Sequence, residues 1–84
     1  MQLAEVIGTV VATRKADSLL GLKLLVIETR ETPARRLVAV DRQGAGVGDT
    51  VLFVTGGAAR VDLPPETPVD AAVVGIVDTV DVRA

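Results

Sequence analysis

The sequence predicts an all-β fold, a small five-stranded β-barrel built as one domain over residues 1–84. β-Branched residues run through it in short blocks such as TVLFVT and AAVVGIV, a composition that suits strands better than helices. Glycine and proline clusters interrupt those blocks at short intervals, so at most a trace of helix fits between them. Finally, 49% of the 84 residues are hydrophobic, while a chain this short buries only about 60–65% of its unfolded surface. Closing the strands into a barrel hides one face of each and removes exposed edges.

The elements follow in order. Residues 3–13, LAEVIGTVVAT, alternate, with Ala4, Val6, Gly8, Val10 and Ala12 on a small apolar face and Leu3, Glu5, Ile7, Thr9, Val11 and Thr13 on a mixed one. RKADSLLG at 14–21 is polar and ends in glycine, as a hairpin loop does. LKLLVIET at 22–29 is the second strand, and RETPARR, with Pro33, turns the chain into RLVAVD at 36–41. RQGAGVGD is a glycine-rich loop, and TVLFVT at 50–55 is the fourth strand. GGAARVDLPPETP is irregular, with one helical turn over 58–61, and VDAAVVGIVDTVDV at 69–82 is the fifth strand.

That last strand is expected to be buried on both sides from Ala71 to Val77, since Ala71, Val73, Gly75 and Val77 on one face and Ala72, Val74 and Ile76 on the other are all apolar. A glycine inside a strand marks a bend or a close backbone approach, the expectation for Gly75. LKLLVI is likewise apolar on both faces. A barrel hides only the inner one, so the outer face calls for cover by another copy of the chain.

What is missing excludes most chemistry. The chain has no His, Cys, Tyr or Trp, so the usual base near neutral pH, the thiolate and the common nitrogen and sulfur metal ligands are absent. The expectation is no enzyme, no cofactor and no metal. Asp41, Asp49, Asp62, Asp70, Asp78 and Asp81 do not follow the spacing of a calcium loop. The longest apolar run, Ala71 to Val77, is far short of the roughly 20 residues of a spanning helix. MQLAE lacks the basic start of a signal peptide, so the expected location is cytoplasmic, with no membrane partner.

A five-stranded barrel of the OB-like kind raises nucleic-acid binding as an alternative. Such sites join basic grooves to aromatic platforms. This chain has a net charge of −2 and one aromatic residue, Phe53, inside the apolar run VLFV, so no nucleic acid is expected. A carrier or accessory domain is the other alternative. The neighbours of Lys15 and Lys23, Ala16 and Leu22, do not fit the flanks of a modified carrier lysine.

In GAGVGD at 44–49 the glycines stand at i, i+2 and i+4, against i, i+2 and i+5 in the dinucleotide fingerprint. The loop runs from strand to strand and offers a phosphate no helix N-terminus. Its glycines are therefore read as shaping a tight connection.

Four stretches in sequence, GTVVATRK at 8–15, LLGLKLLVIE at 19–28, VAVDRQGAGVGDTVLFVTGGAAR at 38–60 and PVDAAVVGIVDTV at 68–80, together resemble the vertex proteins of bacterial microcompartments, the pentameric shell proteins of carboxysomes and metabolosomes. The family usually has Glu where Asp49 stands and two serines where Gly57 and Ala58 stand; the connection at Pro33 is short for it, and little tail follows the last strand. The resemblance implies an OB-like barrel in a ring-shaped homopentamer that caps five-fold vertices of a shell, with copies of itself and hexameric shell proteins as partners. It also implies that Gly44, Gly46, Gly48, Asp49, Gly56, Gly57, Arg60 and Gly75 lie at subunit contacts or near the axis. Arg60 has two readings: a solvated charge, or a fork reaching a neighbouring subunit, with Asp49 and Asp41 as first partners.

Overall fold

The computed structural model describes residues 1–83. Five strands, β1 (Gln2–Val10), β2 (Lys23–Thr29), β3 (Arg36–Asp41), β4 (Thr50–Thr55) and β5 (Ala71–Ile76), close in the order β1-β2-β3-β5-β4. Short 3-10 turns lie at Asp17–Leu19 and Gly56–Arg60, the second two residues ahead of the expected position. All pairings are antiparallel except β3 with β5. That parallel seam has only the pairs Val40↔Ala72 and Asp41↔Val73.

Strand alternation fills the interior. Ala4 and Val6 of β1, Leu25 and Ile27 of β2, Val51 and Phe53 of β4, and Ala71 and Val73 of β5 form one cluster. Ala45, from the glycine loop, adds to it and is fully buried. Phe53 is the largest buried side chain, and the surrounding alanines leave room for its ring.

A second layer lies outside the barrel. Val40 and Ala72, at the seam, are buried under Ala59 and Val69, with Leu22, Leu24, Val54 and Leu63 packed alongside. The outer face is thus covered in part by the chain's own segment 56–69, a correction to the expectation that only another copy could cover it. The segment is irregular in sequence, but it carries apolar residues spaced to reach the seam.

Two β-bulges reset the expected faces. In β1 the register steps between Val6 and Gly8. Ile7 is the extra residue, and the alternation after it is inverted. Gly8 pairs with Val26 and Val10 with Leu24, on the outer face of β2, while Ala12 lies beyond the strand. In β5 the step is at Val74, between the pairs Phe53↔Val73 and Leu52↔Gly75.

The last strand accordingly differs from its sequence reading. Ala71, Ala72 and Val73 are buried, but Val74 and Ile76 are 41% and 42% exposed. Regular pairing stops at Ile76, followed by one more backbone bond, Val77 N–H to Thr50 O at 2.8 Å. At Gly75 an added Cβ would stand 3.6 Å from Leu52 Cδ1, an ordinary contact. The glycine sits in a bulge and not at a close backbone approach within the chain.

Two outcomes follow for urea unfolding of the protomer. Phe53→Ala should lose about 3–5 kcal/mol through the cavity it leaves. Gly75→Ala should change stability by less than about 1 kcal/mol, since the methyl finds space and the unfolded chain loses freedom. A larger loss at Gly75 would restore the close-approach reading.

Candidate functional site

The glycine loop between β3 and β4 is held at both ends by carboxylates. Asp41, the last residue of β3, has a fully buried side chain. Its Oδ1 accepts the Gln43 N–H at 2.8 Å and its Oδ2 the Ala45 N–H at 2.7 Å. Lys23 Nζ stands 3.7 Å from Oδ2 and donates to Ala45 O. A buried carboxylate is stable only when paired and hydrogen-bonded, and here it is both.

Asp49 does the same at the far end, accepting the Gly46 N–H at 2.8 Å on Oδ2 and donating its own N–H to Gly46 O at 3.0 Å. The loop then joins β1: Gly48 N–H donates to Val6 O, and Val6 N–H to Asp49 O, both at 2.9 Å. Gly44 at φ 88° and Gly48 at φ 96° occupy the left-handed region, where glycine alone is free of strain. The loop thereby crosses the barrel end with Ala45 turned inward. The N–H groups of residues 43, 45, 46, 48 and 49 all have acceptors within the chain. A phosphate would find that cradle already occupied.

The second group of expected residues lies in the turn Gly56–Arg60. Gly56, at φ 65°, donates its N–H to Asp70 O at 2.9 Å. Arg60 is half-buried, and its Nη1 donates to Val69 O at 2.7 Å and to Gly56 O at 3.5 Å. Within the chain it fastens the turn to the approach of β5, so it is not a simply solvated charge. The expected residues therefore fall in three places: Gly44, Gly46, Gly48 and Asp49 in the loop, Gly56, Gly57 and Arg60 in the turn, and Gly75 in the β5 bulge.

Lys23 and the clamping role of Asp41 were missed from the sequence. Asp41 followed two residues on by Gln43 fits an Asx-turn, a signal that was available. Lys23 comes into place through the register, which sets it directly across from Asp41.

On the outer surface, cations and carboxylates neutralise one another. Arg30 Nε donates to Glu5 Oε1 at 2.7 Å, and Thr50 Oγ1 to Glu5 Oε2 at 2.8 Å. Arg35 pairs with Glu31 and Arg36 with Glu28, both at 3.0 Å. The Arg30 hydrogen bond holds the Glu5 carboxyl below its ordinary value of 4.5. Phe53, 1% exposed, offers no platform for a base. Among the described residues no cluster of His, Cys, Asp or Glu could hold a metal, and no helix is long and apolar enough to cross a membrane.

The geometry defines a closed five-stranded β-barrel protein whose glycine loop is locked by bonds within the chain. The chain belongs to the EutN/CcmL family: the family model described as "Ethanolamine utilisation protein EutN/carboxysome" matches residues 1–78. It is 47% identical over 89 residues to the carboxysome shell vertex protein CcmL of Synechocystis, covering 100% of this chain and 89% of that one. It is 49% identical to the bacterial microcompartment shell vertex protein PduN of Salmonella typhimurium, covering 94% and 97%. The structure superposes on the GrpN pentameric microcompartment shell protein from Rhodospirillum rubrum with a TM-score of 0.86, 44% identity and 100% of both chains covered.

Two measurements probe the site. Asp41→Ala leaves buried N–H groups without acceptors and should lower unfolding free energy by about 2–4 kcal/mol; a loss under about 1 kcal/mol would show that the clamp holds little. For Glu5, a lowered folded-state pKa means that its contribution is present above the unfolded value and lost as pH falls through the folded one. Glu5→Gln should therefore be less stable than the native chain at pH 7, and the two should converge as the pH drops below about 4.

Proposed function

We propose that the chain forms a ring-shaped homopentamer that caps five-fold vertices of a bacterial microcompartment, with hexameric shell proteins as neighbours and a place in the shell within the cytoplasm. One observation carries this reading: the likeness to a pentameric shell protein extends over the whole of both chains. The curated relatives named above are shell vertex proteins, which supports a structural role and no enzymatic one. Residues 1–84 are read as one vertex domain, an OB-like barrel. The loop glycines 44, 46 and 48 with Asp49, the turn residues Gly56, Gly57 and Arg60, and Gly75 are assigned to subunit contacts or the axial opening.

The physical rationale is curvature. A flat layer of six-fold tiles cannot close on itself, and five-fold positions supply the missing angle. A protein at such a position needs defined edges and a fixed shape; it needs no reactive group.

Native mass spectrometry at low micromolar concentration tests this directly. The expected species has five times the 8.7 kDa mass of the protomer. A monomer under those conditions would overturn the proposal.

A further inference from the structure

The chain leaves apolar side chains uncovered on two surfaces of the barrel. On one are Val47, at the tip of the glycine loop, and Ile7, the extra residue of the β1 bulge, 65% and 38% exposed. The bond from Gly48 N–H to Val6 O sets the loop tip beside that bulge. On the other a groove of about 430 Å³ runs between the Gly56–Arg60 turn and the β3–β5 seam. Ala58 and Ala72 line it, together with Val61 and Val74, 78% and 41% exposed. In the strand order, β2 separates β1 from β3 and β4 separates β1 from β5. The loop tip over β1 and the groove at the seam are therefore different surfaces, although Arg42 and Gln43 at the start of the loop also line the groove.

Two of the glycines that neither a positive φ nor a tight contact requires lie beside these patches. Gly46 has no positive φ, and an added Cβ would meet nothing within 4 Å. Gly57 has no positive φ either, and its Cβ would meet only Arg60 Nη2, at 3.8 Å. Gly46 adjoins Val47, and Gly57 adjoins Ala58. Each patch thus has, beside it, a place where a second backbone can come close.

We propose that the two patches are halves of one head-to-tail contact, in which Val47 and Ile7 of one copy seat in the Ala58–Val61–Val74 groove of the next. The inference rests on the pentamer reading. A patch that pairs with itself gives a dimer and stops, whereas a ring needs two different surfaces repeated in one direction. The loop tip is preorganised by Asp41 and Asp49, so little freedom is lost when it docks. At the groove Arg42 already donates to Asp62 O at 3.1 Å, and at the loop Asp49 already accepts the Gly46 N–H.

The test uses Val47→Asp and Val61→Asp, both at exposed positions, with unchanged far-UV circular dichroism as the folding control. Each variant alone should lose the pentamer in native mass spectrometry. Mixed in equal amounts they should form a one-to-one heterodimer, because one intact loop tip meets one intact groove and growth stops there. The chain has no cysteine, so a second measurement is available. Val47→Cys with Val61→Cys in one chain, treated with a short bismaleimide, should give covalent species up to five chains, while either cysteine alone gives none. A pentamer that survives Val47→Asp, or a cross-linked dimer from Val47→Cys alone, would overturn the head-to-tail contact while leaving the pentamer intact. A native chain that is monomeric would instead overturn the reading beneath it.

Discussion

The buried carboxylate of Asp41 is the interaction on which most of this structure depends. It ends β3, pairs with Lys23 of β2 and accepts two N–H groups of the loop that follows. Those bonds turn Ala45 into the barrel interior, where it closes one end of the core. From there the loop has a fixed path to β1 and on to β4. Had residue 41 been apolar, the Ala45 N–H would be buried without an acceptor, and the end of the barrel would open to admit water. A charge inside so small a core is tolerable because every partner lies within a few residues or directly across a strand pair.

The second constraint is closure. A barrel of short strands needs its first and last sheet edges to meet, and here they meet through two residue pairs between β3 and β5. So short a seam would be weak if it faced water. It is instead sandwiched, with Ala71 and Val73 inside and Ala59 and Val69 over Val40 and Ala72 outside. Arg60 completes the cover by holding Val69 O at 2.7 Å. Small residues at 59 and 72 allow the covering turn to lie close to the seam, and β-branched residues around them hold it extended.

Most of the fold was legible in the sequence because strand, turn and glycine signals agree locally. The three middle strands fall at or within one residue of their expected bounds, since each is flanked by strong breakers. Phe53 was legible as core from its apolar neighbours. The bulges at Ile7 and Val74 were not, because a bulge is a property of pairing with a partner strand, and periodicity within one strand carries no mark of it. The overlong fifth strand has the same cause: VDTVDV alternates as a strand does, but β4 pairs only as far as Ile76. At the candidate site the loop glycines were visible, and Gly44 and Gly48 take the left-handed conformation while Gly46 does not. The Lys23–Asp41 clamp was hidden, since it requires the register of β2 against β3 before either residue can be matched to the other.

Rigidity is what connects this architecture to the proposed role. A head-to-tail contact closes into a ring only when the rotation between copies is right; otherwise it continues as an open filament. The angle is therefore part of the function, and a contact built on a mobile loop would not define it. Gly44 and Gly48 by themselves would make residues 44–48 among the freest in the chain. Asp41, Asp49 and the Val6 backbone remove that freedom by engaging the loop's own N–H groups and carbonyls. The same bonds that occupy the loop's donors, and so deny it to a phosphate, fix the direction in which Val47 points. In this loop the loss of a chemical site and the gain of a geometric one have a single cause.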